Sequence, residues 1–242
     1  MKCLNQLLFF CKITILLLST FSFATCVSES PALNYKILKG EHHVNDQLLI
    51  LLHGMNSNTD MWNDFVKYIP KKTLVIAIEA PFTSKKNAYR WYDIDVTKKP
   101  YLSDVVQMDE STRKIEYFIT TIQSKHKIST EKIAIAGFSQ GAILSLNLAL
   151  TNPEVVNFIG IFSGMLPDTM DTRISDTCSK LSFFITHGTQ DKGIDIRLAE
   201  KMQVFLKEND IKVHMRVKDT GHTITDNQFK EFIHWWETST QR

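Results

Sequence analysis

The chain has 242 residues, 43% hydrophobic and 22% charged, with a formal net charge of +2 at neutral pH. That length and apolar content suit one domain with a full core, and the near balance of 28 basic and 26 acidic side chains, without a basic block, argues against a nucleic-acid partner. Four cysteines with no CxxC pair and no His/Cys cluster suggest neither a structural metal nor a disulfide framework.

Residues 1–24 carry Lys2 and Lys12, no acidic side chain, and an apolar run over 13–23 that ends in Ser22-Phe23-Ala24. This is the layout of a secretory signal peptide cleaved after Ala24. Lys12 leaves the apolar stretch short of the ~20 residues needed to span a bilayer. The expectation is therefore a signal peptide over 1–24 and a single domain over 25–242, exported to a periplasm or secreted. Cys26 offers a lipid-anchor variant, which Phe23 and Thr25 fit less well than smaller or aliphatic residues do. Cys26 and Cys178 remain in the mature chain, and an oxidising compartment allows them to pair.

The rest alternates strand and helix signals. Residues 35–38 read as a weak strand, and the continuous apolar run 48–52 as a strand buried on both faces, stopping at His53-Gly54-Met55. A short helix over 60–68 ends before Pro70, and a second buried strand over 73–78 leads to Ala80-Pro81-Phe82. Polar residues 83–87 lead into Tyr89-Arg90-Trp91-Tyr92-Asp93, read as a loop whose aromatics either roof the core or line an acyl pocket. Ser103 or Asp104 caps a long helix to about residue 125, with Met108, Ile115, Ile119 and Ile122 at helical spacing. Residues 133–136 form a buried strand and 142–150 a buried helix. Further strands follow over 156–162, ending in Ser163-Gly164-Met165, and over 181–186, ending in His187-Gly188-Thr189-Gln190-Asp191. Between them, 166–180 reads as a surface loop. A helix over 195–207, an alternating edge strand over 212–218 and a helix over 227–237 complete the chain. This alternation predicts a mainly parallel sheet covered on both faces, with its ligand site beyond the carboxyl ends of the strands.

The chemistry centres on Gly137-Phe138-Ser139-Gln140-Gly141 between a buried strand and a buried helix, the pattern of a nucleophile elbow. A serine hydroxyl becomes a nucleophile when a base takes its proton and an acid orients the base. In the order Ser, then Asp or Glu, then His, three histidines follow a usable acid. His214 falls inside a strand and His234 inside the last helix, which leaves His222 as base. Asp191, in a short turn past a buried strand, leads over Asp219 and Asp195 as the acid. The oxyanion needs two backbone N–H groups; Gln140 supplies one by position, and Met55, after the early strand, is the expected second. His53 reads as a residue that fixes this loop.

Leu52-His53-Gly54-Met55, Ala80-Pro81-Phe82, Trp91-Tyr92-Asp93, Gly137-Phe138-Ser139-Gln140-Gly141-Ala142, His187-Gly188-Thr189-Gln190-Asp191 and Gly221-His222 occur in that order. Together they resemble the phospholipase/carboxylesterase family of α/β-hydrolases, which includes the acyl-protein thioesterases, over essentially residues 35–236. The resemblance implies an α/β-hydrolase fold, a Ser139–Asp191–His222 triad with Met55 and Gln140 as oxyanion donors, and a shallow apolar acyl groove, for which Phe82, Trp91 and Met165 are the candidate lining. The chain departs from the family's usual Leu-Gly-Asp after His-Gly, reading Met55-Asn56-Ser57, and has Lys192-Gly193-Ile194 after Asp191. The expected activity is hydrolysis of carboxylic esters or thioesters with short to medium acyl chains, with no metal or organic cofactor. A lysophospholipase or small peptidase on the same triad, in transient contact with a lipid surface, is the alternative; a non-catalytic binding protein on this fold is the more distant one.

Overall fold

Strands made of consecutive apolar residues have two faces to bury, and here they lie side by side under helices on both sides. The computed structural model describes residues 32–40, 45–95, 97, 102–167 and 174–240. The expected signal peptide, its cleavage point and Cys26 lie outside these residues. In chain order the strands are β1 (Tyr35–Lys39), β2 (Gln47–Leu52), β3 (Thr73–Ile78), β4 (Phe82–Lys85), β5 (Ala88–Arg90), β6 (Ile94–Asp95), β7 (Leu102–Ser103), β8 (Ile133–Phe138), β9 (Phe158–Phe162), β10 (Ser182–Gly188) and β11 (Lys212–Lys218). The α-helices are α1 (Val105–His126), α2 (Gln140–Thr151), α3 (Ile196–Glu208) and α4 (Asp226–Thr240).

Seven strands form one sheet in the order β1-β3-β2-β8-β9-β10-β11. Only β1 runs antiparallel to its neighbour; every other pair is parallel. The side-chain alternation of a strand then sorts the core in two. Leu48, Ile50 and Leu52 of β2 face the layer that holds Ile115, Leu144 and Met202 of α1, α2 and α3. Leu49 and Leu51 face the layer of Trp62, Phe229 and Trp236, from the 3-10 helix Thr59–Tyr68 and α4. The central β2 and β3 are buried almost end to end, whereas the edge strand β11 is half-exposed, as its alternation predicts.

Two expectations change in detail. Residues 83–93 are not a simple loop: β4 and β5 form a small antiparallel hairpin, tied to the loop after β2 by a bridge between Ser57 and Tyr89. Within 166–180, Cys178 is buried rather than on the surface, and its thiol donates to the Leu150 carbonyl (3.3 Å). Asp104, not Ser103, caps α1 by accepting the Gln107 N–H. No helix among the described residues is long and apolar enough to cross a membrane.

Candidate active site

Ser139 stands between β8 and α2 with φ 52° and ψ −116°, a left-handed conformation that a serine adopts only where its surroundings impose it, at a cost of about 1–3 kcal/mol. Its N–H donates to the Phe162 carbonyl (2.9 Å) and its carbonyl accepts the Ile143 N–H (3.0 Å), so neighbours on both sides hold the turn. The flanking glycines answer to close approach. A Cβ on Gly137 would lie 2.3 Å from the Gly141 carbonyl, and one on Gly141 would lie 2.5 Å from the carbonyl oxygens of Leu52 and His53. The Gly-x-Ser-x-Gly spacing therefore records where β8, α2 and the end of β2 touch.

His222, in the loop after β11, faces Ser139 with Nε2 2.9 Å from the serine Oγ. Its Nδ1 lies 2.8 Å from Oδ2 of Asp191. A carboxylate only accepts, so Nδ1 carries the hydrogen and Nε2 is left with a lone pair toward the hydroxyl. Asp191, in the turn after β10, has a fully buried side chain. Its other oxygen accepts the N–H groups of Gly193 (2.8 Å) and Ile194 (2.9 Å). Burial pushes this carboxyl's pKa up, but the bonds from Ile194, His222 and Gly193 outweigh it and hold the group below its ordinary value. It therefore stays ionised. His187, buried beside it, donates from Nε2 to the Ile194 carbonyl (2.8 Å) with Asp191 Oδ2 at 3.4 Å.

The other candidates are placed elsewhere. Asp219 accepts from Thr189 Oγ1 (3.1 Å) and Gln190 Nε2 (2.7 Å). Asp195 caps α3 through the Arg197 N–H and pairs with its guanidinium. His214 and His234 line a groove of about 440 Å³ between β11 and α4, whose wall shares no residue with the Ser139 cavity.

Backbone donors flank the serine. The Gln140 N–H opens α2, where no helical carbonyl can reach it. Among the described residues the Met55 N–H is bonded to no acceptor, while the next one, of Asn56, is taken by the Tyr89 carbonyl (2.8 Å). The Met55 loop is held by His53, which is fully buried. Its Nε2 accepts the Ala80 N–H (3.1 Å) and its Nδ1 donates to the Gly54 carbonyl (2.7 Å). Burial lowers its pKa against the smaller opposing pull of the Gly54 bond and Glu79, so it is a neutral structural histidine. Gln140 contributes more than its N–H: its side-chain Oε1 accepts the Trp91 N–H (2.9 Å) and its Nε2 donates to the Tyr92 carbonyl (2.7 Å).

Beside Ser139 and His222 opens a cavity of about 190 Å³, walled by Met55, Tyr92, Ile94, Ile143, Met165 and Ile194. Of the three residues expected to line an acyl groove, Met165 is in this wall. Phe82 and Trp91 do not line this cavity. Trp91 is fully buried and turned into the core, packed 5.3 Å from the His53 ring with its Nε1 donating to the His53 carbonyl (2.8 Å). Phe82 sits on the β4–β5 hairpin beneath the Lys114 ammonium. Of the wall residues not anticipated, Ile143 had a signal, since it lies one helical turn beyond Ser139. The contributions of Ile94 and Ile194 had none.

The profile of the phospholipase/carboxylesterase family matches residues 34–239. Acyl-protein thioesterase 1 of Mycosarcoma maydis is 25% identical over 198 residues, 69% of this chain and 80% of that protein. Esterase YpfH of Escherichia coli is 26% identical over 198 residues, covering 77% of this chain and 79% of its own length. In three dimensions the chain is similar to the carboxylesterase of Bacillus cereus, with TM-score 0.74 at 18% identity over 86% of this chain and 94% of that one. A carboxylesterase of Mesorhizobium loti gives TM-score 0.72 at 19% identity, over 85% and 94% of the two chains. These structural likenesses establish the α/β-hydrolase fold.

Proposed function

The chain belongs to the phospholipase/carboxylesterase family and is a carboxylic ester hydrolase, and on that premise we propose that Ser139, His222 and Asp191 are its catalytic triad. The observation that supports this reading is the unbroken hydrogen-bonded chain from Ser139 Oγ through both nitrogens of His222 to the buried Asp191 carboxylate. In this scheme Ser139 Oγ attacks the carbonyl carbon of an ester or thioester while His222 Nε2 takes its proton. The carbonyl oxygen gathers negative charge between the N–H groups of Met55 and Gln140, which are fixed before the substrate arrives. His222 returns the proton to the departing alcohol or thiol as the bond to the acyl carbon breaks. Water, deprotonated by the same nitrogen, then attacks the acyl-serine and releases the acid. Asp191 keeps His222 in the tautomer this needs and offsets the charge it gains. The 190 Å³ cavity favours short to medium acyl groups over a lysolipid chain.

The test is Ser139→Ala with p-nitrophenyl butyrate. Loss of turnover on the order of 10⁴-fold or more in a folded variant, together with loss of fluorophosphonate labelling, is expected. Comparable turnover in the two proteins would refute the assignment. The reading includes export, with residues 1–24 removed. Intact mass of the product recovered outside the cytoplasm should place its start at Thr25. A start at Cys26 with added acyl mass would make the product a lipoprotein instead, and a retained Met1 would remove the export argument.

A further inference from the structure

We propose that His187 is a positioning residue for the acid: by tying the Ile194 carbonyl to the end of β10, its imidazole holds the Asp191 carboxylate where His222 can use it. The proposal rests on Asp191 being the acid of the triad and names the residue that stands behind it.

His187 is the last residue but one of β10 and is 0% exposed. After Gly188 the chain leaves the sheet, and the Asp191 N–H donates back to the Gly188 carbonyl (3.3 Å). It then passes through Gly193 to Ile194, whose carbonyl, seven residues past His187, accepts from the imidazole Nε2 at 2.8 Å. That bond closes the loop on the strand it left. Inside the loop, the Gly193 and Ile194 N–H groups hold Asp191 Oδ1 at 2.8 Å and 2.9 Å. The same His187 Nε2 lies 3.4 Å from Asp191 Oδ2, the oxygen that meets His222 Nδ1 at 2.8 Å. One buried ring therefore faces the working oxygen of the acid and anchors the segment that grips the other.

The strand that carries this ring is itself fixed against the loop that carries the base. The Gln190 N–H donates to the Thr220 carbonyl (3.0 Å), and a Cβ on Gly188 would lie 2.1 Å from the same oxygen. The β10 end and the His222 loop thus move as one body, and His187 links the far end of the Asp191 loop to it. Without that link the Asp191 loop has fewer ties, and a displacement of about 1 Å at a catalytic group costs roughly 10²-fold in rate. His187 does not line the cavity beside Ser139, so it acts on the reaction through Asp191 alone or through Ile194, which does line it. The first route lowers kcat and vanishes when the acid is disabled. The second raises KM and persists.

The experiment measures kcat and KM on p-nitrophenyl butyrate for the purified full chain as wild type, His187→Gln, His187→Met, His187→Asn, Asp191→Asn, and His187→Met combined with Asp191→Asn. The glutamine amide nitrogen stands as many bonds from the backbone as imidazole Nε2, methionine has the same length without a donor, and the asparagine amide stops one bond short. His187→Met and His187→Asn should lower kcat about 10–100-fold with KM within about threefold, while His187→Gln stays within a few-fold of wild type. On top of Asp191→Asn, His187→Met should cost nothing further, because residues that act as a unit are not additive. Wild-type kcat in His187→Met, no rescue by His187→Gln, a loss carried by KM, or a full second loss on the Asp191→Asn background would each overturn the proposal. Circular dichroism checks the fold, and if His187→Met does not fold, the contrast between His187→Gln and His187→Asn decides by the same criterion. A crippled Asp191→Asn beside an unaffected His187→Met would overturn this proposal alone. An active Asp191→Asn would sink the assignment of the acid and this proposal with it.

Discussion

Gln140→Ala is a demanding test of how the site is held together. The side chain is 2% exposed and bonded at both ends, to the Trp91 N–H and the Tyr92 carbonyl. Truncation leaves a buried donor and a buried acceptor unpaired, at about 1–3 kcal/mol each, so the expected loss is about 2–6 kcal/mol. For a chain of this length that amounts to a fall in Tm of roughly 4–24 °C. The Gln140 N–H survives the change as the first amide of α2, so turnover should fall less than in any variant that removes a catalytic group. The companion Gln140→Glu carries a signature that truncation lacks. One carboxylate oxygen can still accept from Trp91, but the other faces the Tyr92 carbonyl, and two acceptors cannot bond unless the acid is protonated. Burial and this contact raise the pKa of the new group above its unfolded value of about 4.3. The unfolded chain then releases its proton first, so the stability is fully present below that pH and is lost as pH rises through the folded pKa. Urea unfolding at pH 5 and pH 8 reads it directly. A Gln140→Ala variant that loses less than about 1 kcal/mol, or a Gln140→Glu variant no less stable at pH 8 than at pH 5 relative to wild type, would refute the reasoning.

Asp191→Asn should lower kcat by roughly 10⁴, because an amide in place of the carboxylate favours the wrong His222 tautomer, while Asp219→Asn and Asp195→Asn should leave kcat within a few-fold; steady-state kinetics on p-nitrophenyl butyrate separates them. Met55→Pro deletes one oxyanion donor and should cost about 10²–10³ in kcat in a protein that circular dichroism shows to be folded; near-normal turnover would place the second donor elsewhere. His53, its pKa lowered by burial, contributes stability that is fully present above its unfolded value of about 6.5 and is lost as pH falls through the lower folded value. The slope of unfolding free energy between pH 7 and pH 5 should therefore be shallower in His53→Gln than in wild type.

The fold was legible because burial on both faces leaves a plain mark. The runs around Leu49, Val75 and Ile135 are apolar without alternation, which in a chain of this size means central parallel strands, and alternation returns at Val213 and Met215 on the edge. The elbow was legible because its glycines answer to contacts a few residues apart in sequence or at a strand end. The choice among acids was harder. Asp191 and Asp219 each follow a strand, and what separates them is a local turn that points two N–H groups at one carboxylate and two side chains at the other. The cavity wall was least legible. Ile94 and Ser103 belong to strands of two residues each, too short for any period to show.

Trp91 and Tyr92 show where sequence reading meets a physical limit. Both rings are fully buried in one core cluster, and of the two only Tyr92 also borders the cavity beside Ser139, a difference that composition does not show. Gln140 holds the backbone on either side of the pair: by taking the Trp91 N–H and the Tyr92 carbonyl it fixes the peptides before Trp91 and after Tyr92, while Ser111 Oγ donates to the Trp91 carbonyl between the two rings. On the proposed mechanism Gln140 has two roles through different atoms: its main-chain N–H faces the developing oxyanion, and its side chain holds the backbone that carries Trp91 and Tyr92. A substitution at this position leaves that N–H in place and should reach the site only through the backbone around Trp91 and Tyr92, unless its side chain again supplies both a donor and an acceptor there.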